Sequence, residues 1–360
     1  MQFVSSDEEE ELTLLETQTR KIRYDPYRDK MLQYFLKAKA PKTVQQYLAA
    51  YERCKKWAVD MNISVLPMEV DDLICYLIYI SENVESFAAV KMARYGIAYV
   101  HQMAGKPDPT KDPAINLIME ASKRMWAKPV KKAKPMTFCI IKMLVDDVLG
   151  QDVYRTSGHF KISIVDWRTV INIIVKFCYI ARNSDVLELT RRHFTFVKDL
   201  LVIHFPKAKN DQFFEGSSTT FEAKSSRVYC PVFLTAKYFE RLGYGPKSNG
   251  FFLPKVGLKK IDRIKGKSIF TQVALPNEHV SYNTCLLDRR KLLERMGIPS
   301  KGFTEHSDRV GGISHIFNNG ATIDEAQAHG RWKSVETPKK YVQKSELKKR
   351  ELSRLFFKSK

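Results

Sequence analysis

"HGRWKSVETPKKY" spans His329–Tyr341, and its reading decides what the larger part of the chain is. It sets Trp332 in a basic, turn-like segment and Tyr341 nine residues later. Just upstream, Thr322-x-x-Glu325 is a capping-box pattern, which predicts a helix from 323 to about His329. Gly330 is placed to end that helix. Thr337-Pro338 reads as the N-cap and first residue of a further helix, with Tyr341 one turn in. The N-terminus of a helix favours anions, so a phosphate, or the tyrosine's own phenolate, is expected to be favoured there.

A second stretch, "HSDRVGG", lies at His306–Gly312. His306 and Arg309 are three residues apart and share a face if the segment is helical. The two glycines that follow allow close approach of a backbone or a ligand. Taken alone, such a histidine–arginine spacing is most simply a surface pair.

The composition says what the partner is. The chain has 360 residues, 44% of them hydrophobic, enough for two ordinary domains. Its net charge is +20, yet six of the 40 acidic residues fall before residue 17, so the rest holds 60 basic residues against 34 acidic. A surplus of that size on a folded chain points to a polyanion, here nucleic acid. Six cysteines are scattered without a C-x-x-C pair, which argues against a zinc ribbon and a secreted disulfide framework and for a reduced, intracellular protein. No N-terminal apolar stretch resembles a signal peptide, and no run reaches about 18 apolar residues, so no membrane partner is expected. "KKAK" (Lys131–Lys134) matches a nuclear import pattern, though such short basic matches are weak.

Along the chain, residues 1–27 read as an acidic tail too polar to pack a core. Residues 28–127 read as a small helical bundle. Val44, Tyr47, Leu48, Tyr51 and Trp57 recur at helical spacing, as do Val70, Leu73, Ile74 and Leu77, and further helices are predicted at 86–104 and 113–126. Residues 128–136, with prolines and lysines, form a linker, in which Lys131, Lys132 and Lys134 are suited to run along a phosphate backbone. Residues 137–345 form a larger domain. There "DWRTVINIIVKFCYIAR" predicts a buried helix ending near Arg182, "LLVIHFPKAKND" a strand running into a polar turn, and "SSRVYCPVFL" the returning strand. The expected class is mainly α with a small antiparallel β-sheet. Residues 346–360 form a tail in which Leu347, Leu352, Leu355 and Phe356 make a partly amphipathic face.

Together these features resemble the C-terminal signature of the tyrosine recombinases of the phage-integrase type: His306-x-x-Arg309, Gly330-Arg331-Trp332, and a tyrosine nine residues past the tryptophan. "ARNSDVLEL" resembles the family's first arginine box, with Arg182 as its arginine and Asp185 at the acidic position. "FPKAKNDQ" resembles the hairpin that carries a catalytic lysine, and the family pattern selects Lys209 over its neighbour Lys207. "YGIAYVHQMAGKPDPTKDP" resembles the family's core-binding domain. The wording around 208–212 and 329–342 is most similar to eukaryotic mobile-element recombinases of the Crypton, Ngaro or DIRS type. One departure stands out. The family usually has an apolar residue before the second arginine, and here Asp308 is expected to tether Arg309 or to compete with phosphate.

The resemblance implies a clamp-like DNA strand transferase on double-stranded DNA that needs no cofactor, metal or ATP. Tyr341 attacks a phosphodiester and forms a 3′-phosphotyrosyl link. A phenol with a pKa of about 10 is ionised to about one part in a thousand at pH 7, and a full shift to 7 takes about 4 kcal/mol. Arg182 and Arg309 would clamp the non-bridging oxygens and stabilise the pentacoordinate transition state. Lys209 would protonate the departing 5′-oxygen. His306 would assist the tyrosine proton transfer or hydrogen-bond a phosphate oxygen, Trp332 would offer its indole N–H to the phosphate, and Asp185 would orient its neighbours. Arg331 and Lys333 flank the site as phosphate contacts. The tail either packs on its own domain or, as the resemblance favours, docks into a neighbouring protomer of a homo-tetramer with a dimer on each site, and the setting implied is nuclear in a eukaryotic host. Two rivals share these residues. One is an inactive DNA-binding protein of the same fold. The other is a type IB topoisomerase, whose pattern resembles K-x-x-R where this chain has His306.

Overall fold

The computed structural model describes residues 27, 30, 31, 33–129, 132–156, 159–206, 216–223, 228–264 and 267–342, without the side chains of 261–270. The chain divides into two compact units, Met1–Val130 and Lys131–Lys360.

Among the described residues of the first unit, α1 (Pro41–Met61), α2 (Val70–Val84), α3 (Phe87–Met103) and α4 (Pro113–Trp126) build its core. Pro41 and Pro113 open their helices, where a missing N–H is no loss. The Asp112 carboxylate caps α4 by accepting the Ala114 N–H at 2.8 Å. Tyr51, Trp57, Leu73, Leu77, Ile97 and Ile115 meet in one apolar core. Leu48, expected on the buried stripe of α1, is exposed, because it lies on the flank of the arc centred on Val44, Tyr51 and Ala58. His101 is a buried structural histidine: one ring nitrogen bonds the Ile97 carbonyl and the other accepts the Met68 N–H.

The second unit is mainly helical with a small antiparallel sheet. Its elements are α5 (Phe138–Met143), α6 (Ile164–Cys178), α7 (Asn183–Leu187), β1 (Phe194–Val197), β2 (Leu200–Phe205), β3 (Ser217–Glu222), α8 (Pro231–Leu242), β4 (Pro254–Ile264), β5 (Lys267–His279), α9 (Tyr282–Arg295), α10 (Ser307–Asn318), α11 (Ile323–His329) and α12 (Glu336–Tyr341). The centre is α6, buried on every side through Trp167, Val170, Ile171, Ile174, Val175 and Phe177. Its Arg168, Asn172 and Lys176 are buried too, each with a hydrogen-bond partner.

Several boundaries differ from those the sequence predicts. The helix α6 stops at Cys178, four residues before Arg182. The Ala181 N–H turns back to the Lys176 carbonyl, and Ile180 takes the left-handed conformation at φ 47°. That closure is usually glycine's. Ile180 accepts it because its side chain fills a small cluster with Ile313, Ala326 and Trp332. The three-stranded sheet has the order β1-β2-β3. The strand returning from β2 is Ser217–Glu222, whereas "PVFL" opens α8. Pro231 suits the first turn of a helix, and Val232, Leu234, Tyr238 and Phe239 carry helical spacing inward. The long β4–β5 ribbon has no counterpart in the sequence reading.

The second half of the basic linker is bonded to the larger unit. Lys134 N–H donates to the Gly302 carbonyl and Met136 N–H to the Ser307 carbonyl, both at 2.9 Å. Met136 is fully buried, and this explains the glycine pair. A Cβ on Gly311 would stand 1.8 Å from the Met136 carbonyl oxygen, and one on Gly312 would stand 2.1 Å from that of Phe177. It is backbone, not ligand, that approaches here. Gly312→Ala is therefore expected to lower unfolding free energy by about 3 kcal/mol, the upper range for overpacking, since a carbonyl cannot swing aside as a side chain can. Urea unfolding of the variant against the parent checks this.

Candidate active site

Three separate segments bring the predicted residues together. Arg182 sits at the N-cap of α7, with its guanidinium 3.8 Å from the Asp185 carboxylate one turn on. Arg309 lies in the first turn of α10 and is 1% exposed. One of its terminal nitrogens donates to the Ile180 carbonyl and the other to the Gly330 carbonyl at 2.9 Å. Its guanidinium stacks over Trp332, 4.1 Å from the ring centroid. Trp332 in turn packs against Tyr341 at 5.8 Å between centroids. The Trp332 indole N–H is buried without a hydrogen-bond partner among the described residues.

Arg331, read from sequence only as a flanking contact, is part of the same cluster. It adopts φ 56°. Its guanidinium stacks on Phe205 at 3.9 Å and donates to the Thr219 hydroxyl at 2.6 Å, which ties the segment after α11 to the sheet. No local pattern separates that inward turn from exposure. The electrostatics report the crowding. Burial first, then repulsion from Arg182 and Arg331, pushes the Arg309 guanidinium down to about 9. Burial likewise pushes Arg331 down to about 10, against the pull of Asp185. Three guanidiniums face one carboxylate. Such a concentration of positive charge is unfavourable in the bare chain and favourable around an anion.

The remaining candidates fall as follows. His306 is exposed at the N-cap of α10, three residues before Arg309. Lys132, Lys134 and Lys333 are exposed. Lys131, Lys209 and the tail 346–360 lie outside the described residues. His329 is turned inward, its Nε2 2.7 Å from the Cys178 carbonyl, and burial lowers its pKa.

Two expectations need correction. Tyr341 is the last residue of the six-residue α12, not a residue of its first turn. The helix begins before Thr337, with Val335 at its N-cap, and the Ser334 hydroxyl just ahead accepts the Glu336 N–H at 3.2 Å. Tyr341 therefore lies at the C-terminal end of α12, away from its positive end. The second correction concerns Asp308. Its carboxylate does not engage Arg309. It is fully buried and pairs with Arg289 and, at 3.0 Å, with Lys176.

Those three join Glu305 in a closed network of two cations and two anions. Lys176 pairs with Glu305, the Arg289 Nε lies 3.5 Å from Glu305, and no member is more than 1% exposed. The network fastens the start of α10, with His306 and Arg309, onto α6 and α9. Burial alone would raise the Glu305 carboxyl, but Lys176 and Arg289 hold it below the ordinary value of 4.5. Its contribution to stability is thus complete above the unfolded value of 4.5 and is lost as pH falls through the lower folded value. Thermal melts from neutral to acidic pH are expected to show that loss below 4.5, and Glu305→Gln should flatten it.

No protein-family model matches the sequence, and no curated protein is significantly similar to it. The fold is that of the tyrosine-recombinase catalytic domain, mainly helical with a small antiparallel sheet. Two solved structures carry the likeness. One is the XerH site-specific recombinase bound to a palindromic difH substrate in a post-cleavage complex, with TM-score 0.55 and 12% identity, covering 88% of this chain and 80% of that one. The other is a lambda integrase dimer bound to a COC′ core site, with TM-score 0.52 and 12% identity, covering 89% of this chain and 96% of that one.

Proposed function

We propose that this chain is a site-specific DNA recombinase or integrase that cleaves and rejoins strands through a 3′-phosphotyrosyl intermediate. The observation that carries the reading is the cluster itself. Arg182, Arg309 and Arg331 converge from three segments, with Trp332 and Tyr341 packed behind one of them, in a fold shared with DNA-bound recombinases. Arg182 and Arg309 grip the non-bridging oxygens of one phosphodiester, and Arg331 adds its charge to the transition state. The Tyr341 oxygen bonds to phosphorus as the bond to the 5′-oxygen breaks. That oxygen takes a proton from Lys209, while His306 receives the phenolic proton. The link keeps the phosphoester energy, so rejoining needs only a 5′-hydroxyl and the same steps reversed.

Double-stranded DNA is the partner on this reading, and the tail 346–360 supplies a homo-tetramer contact. Mobile-element integration or excision, nuclear in a eukaryotic host, rests on the sequence resemblance alone.

The test is a set of nicked duplexes that tile the DNA flanking the gene, where short repeats would mark the site. Incubation is expected to yield a protein–DNA adduct that survives denaturing electrophoresis and maps to the peptide holding Tyr341. Absence of any adduct on such duplexes sinks the enzymatic reading. Relaxation of any supercoiled plasmid without a site requirement replaces it with a topoisomerase.

A further inference from the structure

The β4–β5 ribbon takes no part in the site described above. Its strands pair from Pro254↔His279 out to Ile264↔Lys267. At about 3.3 Å per residue that is a reach of about 35 Å. Its root is fastened to the larger unit on several sides. Arg168, itself paired with Asp288, donates to the Pro254 carbonyl at 2.6 Å. The Gln272 side chain accepts the Ile164 N–H at 2.8 Å, and the Pro276 carbonyl accepts the Phe251 N–H at 2.9 Å. Lys255 and Glu278 close an ion pair across the strands at 2.6 Å.

The outer half differs from the root. Leu258 is 70% exposed, and Lys259 and Lys260 are exposed and make no ion pair among the described residues. Residues 258–264 and 267–271 carry Lys259, Lys260, Arg263 and Lys267 against the single acid Asp262. Charges on an open strand edge keep it from pairing with another chain. Mixed signs would serve that purpose equally well, whereas here the sign is almost uniform. The register also shifts between Lys260 and Asp262. Such a bulge raises the local twist of a ribbon.

We infer that the outer half of the β4–β5 ribbon is a DNA-binding arm, laid into a groove of duplex DNA beyond the phosphate held at Tyr341. The partner class is fixed by charge and shape together. A major groove about 12 Å wide admits a two-stranded ribbon, and exposed lysines such as Lys259 and Lys260 are suited to meet the phosphates that line it. The inference rests on duplex DNA being the partner under the proposed function, but not on cleavage.

The experiment titrates the full chain onto a long mixed-sequence duplex through a sodium chloride series, with two variants beside it. One is Lys259→Gln with Lys260→Gln. The other replaces residues 259–271 by Asn-Gly, so that the Leu258↔Gln272 pair closes a two-residue turn and the anchored root stays whole. The slope of log affinity against log salt is expected to fall by about 2 in the double substitution, given about 0.9 per phosphate contact, and by more in the truncation. Unchanged slopes in both variants overturn the inference even if the parent forms its adduct. A truncation that instead changes the oligomeric state without DNA, at an unchanged slope, makes the ribbon a contact between copies and overturns it as well. A parent that binds no duplex overturns both the arm and the proposed function.

Discussion

Tyr341→Phe is expected to abolish the covalent DNA adduct, a loss on the order of 10⁴-fold or more in rate, while DNA affinity stays at the parent's value. The substitution is clean for structural reasons. The Tyr341 ring packs on Trp332 at 5.8 Å, and phenylalanine keeps that contact. The backbone carbonyl of Tyr341, which accepts from the Ser314 hydroxyl at 3.5 Å, is unaffected. Among the described residues the phenolic oxygen makes no hydrogen bond within the chain, so its removal leaves no buried group unpaired. The arginines proposed to hold phosphate are untouched. The paired measurement is therefore adduct yield in denaturing gels and affinity by titration, on the same duplex. A variant that still forms adduct places the nucleophile elsewhere. A variant that loses affinity as well shows that the hydroxyl binds rather than reacts.

Asp308→Leu is expected to cost about 3–5 kcal/mol of unfolding free energy, although leucine is the kind of residue the family pattern favours there. Asp308 shares Lys176 and Arg289 with Glu305 in a dry interior. Removing it leaves two buried cations and one anion. A buried network stabilises little relative to apolar packing, yet breaking one member is expensive because the others remain charged and desolvated. The compensating variant follows from charge balance. Lys176→Met together with Asp308→Leu restores one cation to one anion, Arg289 with Glu305, and should recover most of the loss. Urea unfolding of the two single variants and the double forms the cycle. Near-additive losses in the double would mean that the charges do not depend on one another.

Much of the fold was legible because its signals are local. Pro113 beside Asp112, and Thr322 with Glu325, mark helix starts by chemistry confined to a few residues, and the helices begin there. The site was legible for another reason: Arg182, Arg309, Trp332 and Tyr341 have an order in the chain that matches a known signature. What escaped depended on distant partners or on competing neighbours. Ser334 and Thr337 can each cap a helix, and nothing near them says which one prevails. Asp308 reads as a neighbour of Arg309, while the residues that neutralise it, Lys176 and Arg289, lie on other helices. Arg331 looks exposed until Phe205 and Thr219 are brought beneath it. In the ribbon, a run of charges and the register shift beside Lys260 break the period-two pattern that would have announced its strands.

The two carbonyl bonds of Arg309 give that side chain a double duty. A guanidinium has five N–H donors, and here Ile180 and Gly330 take one each. The donors that remain are the ones free to meet a phosphate. The same group is therefore a rivet, joining the turn after α6 to the segment that leads to Tyr341. Under the proposed function, DNA engagement and the seating of the tyrosine become mechanically one event at this residue. A lysine in its place, with a single nitrogen, would have to choose between holding the substrate and holding the enzyme together.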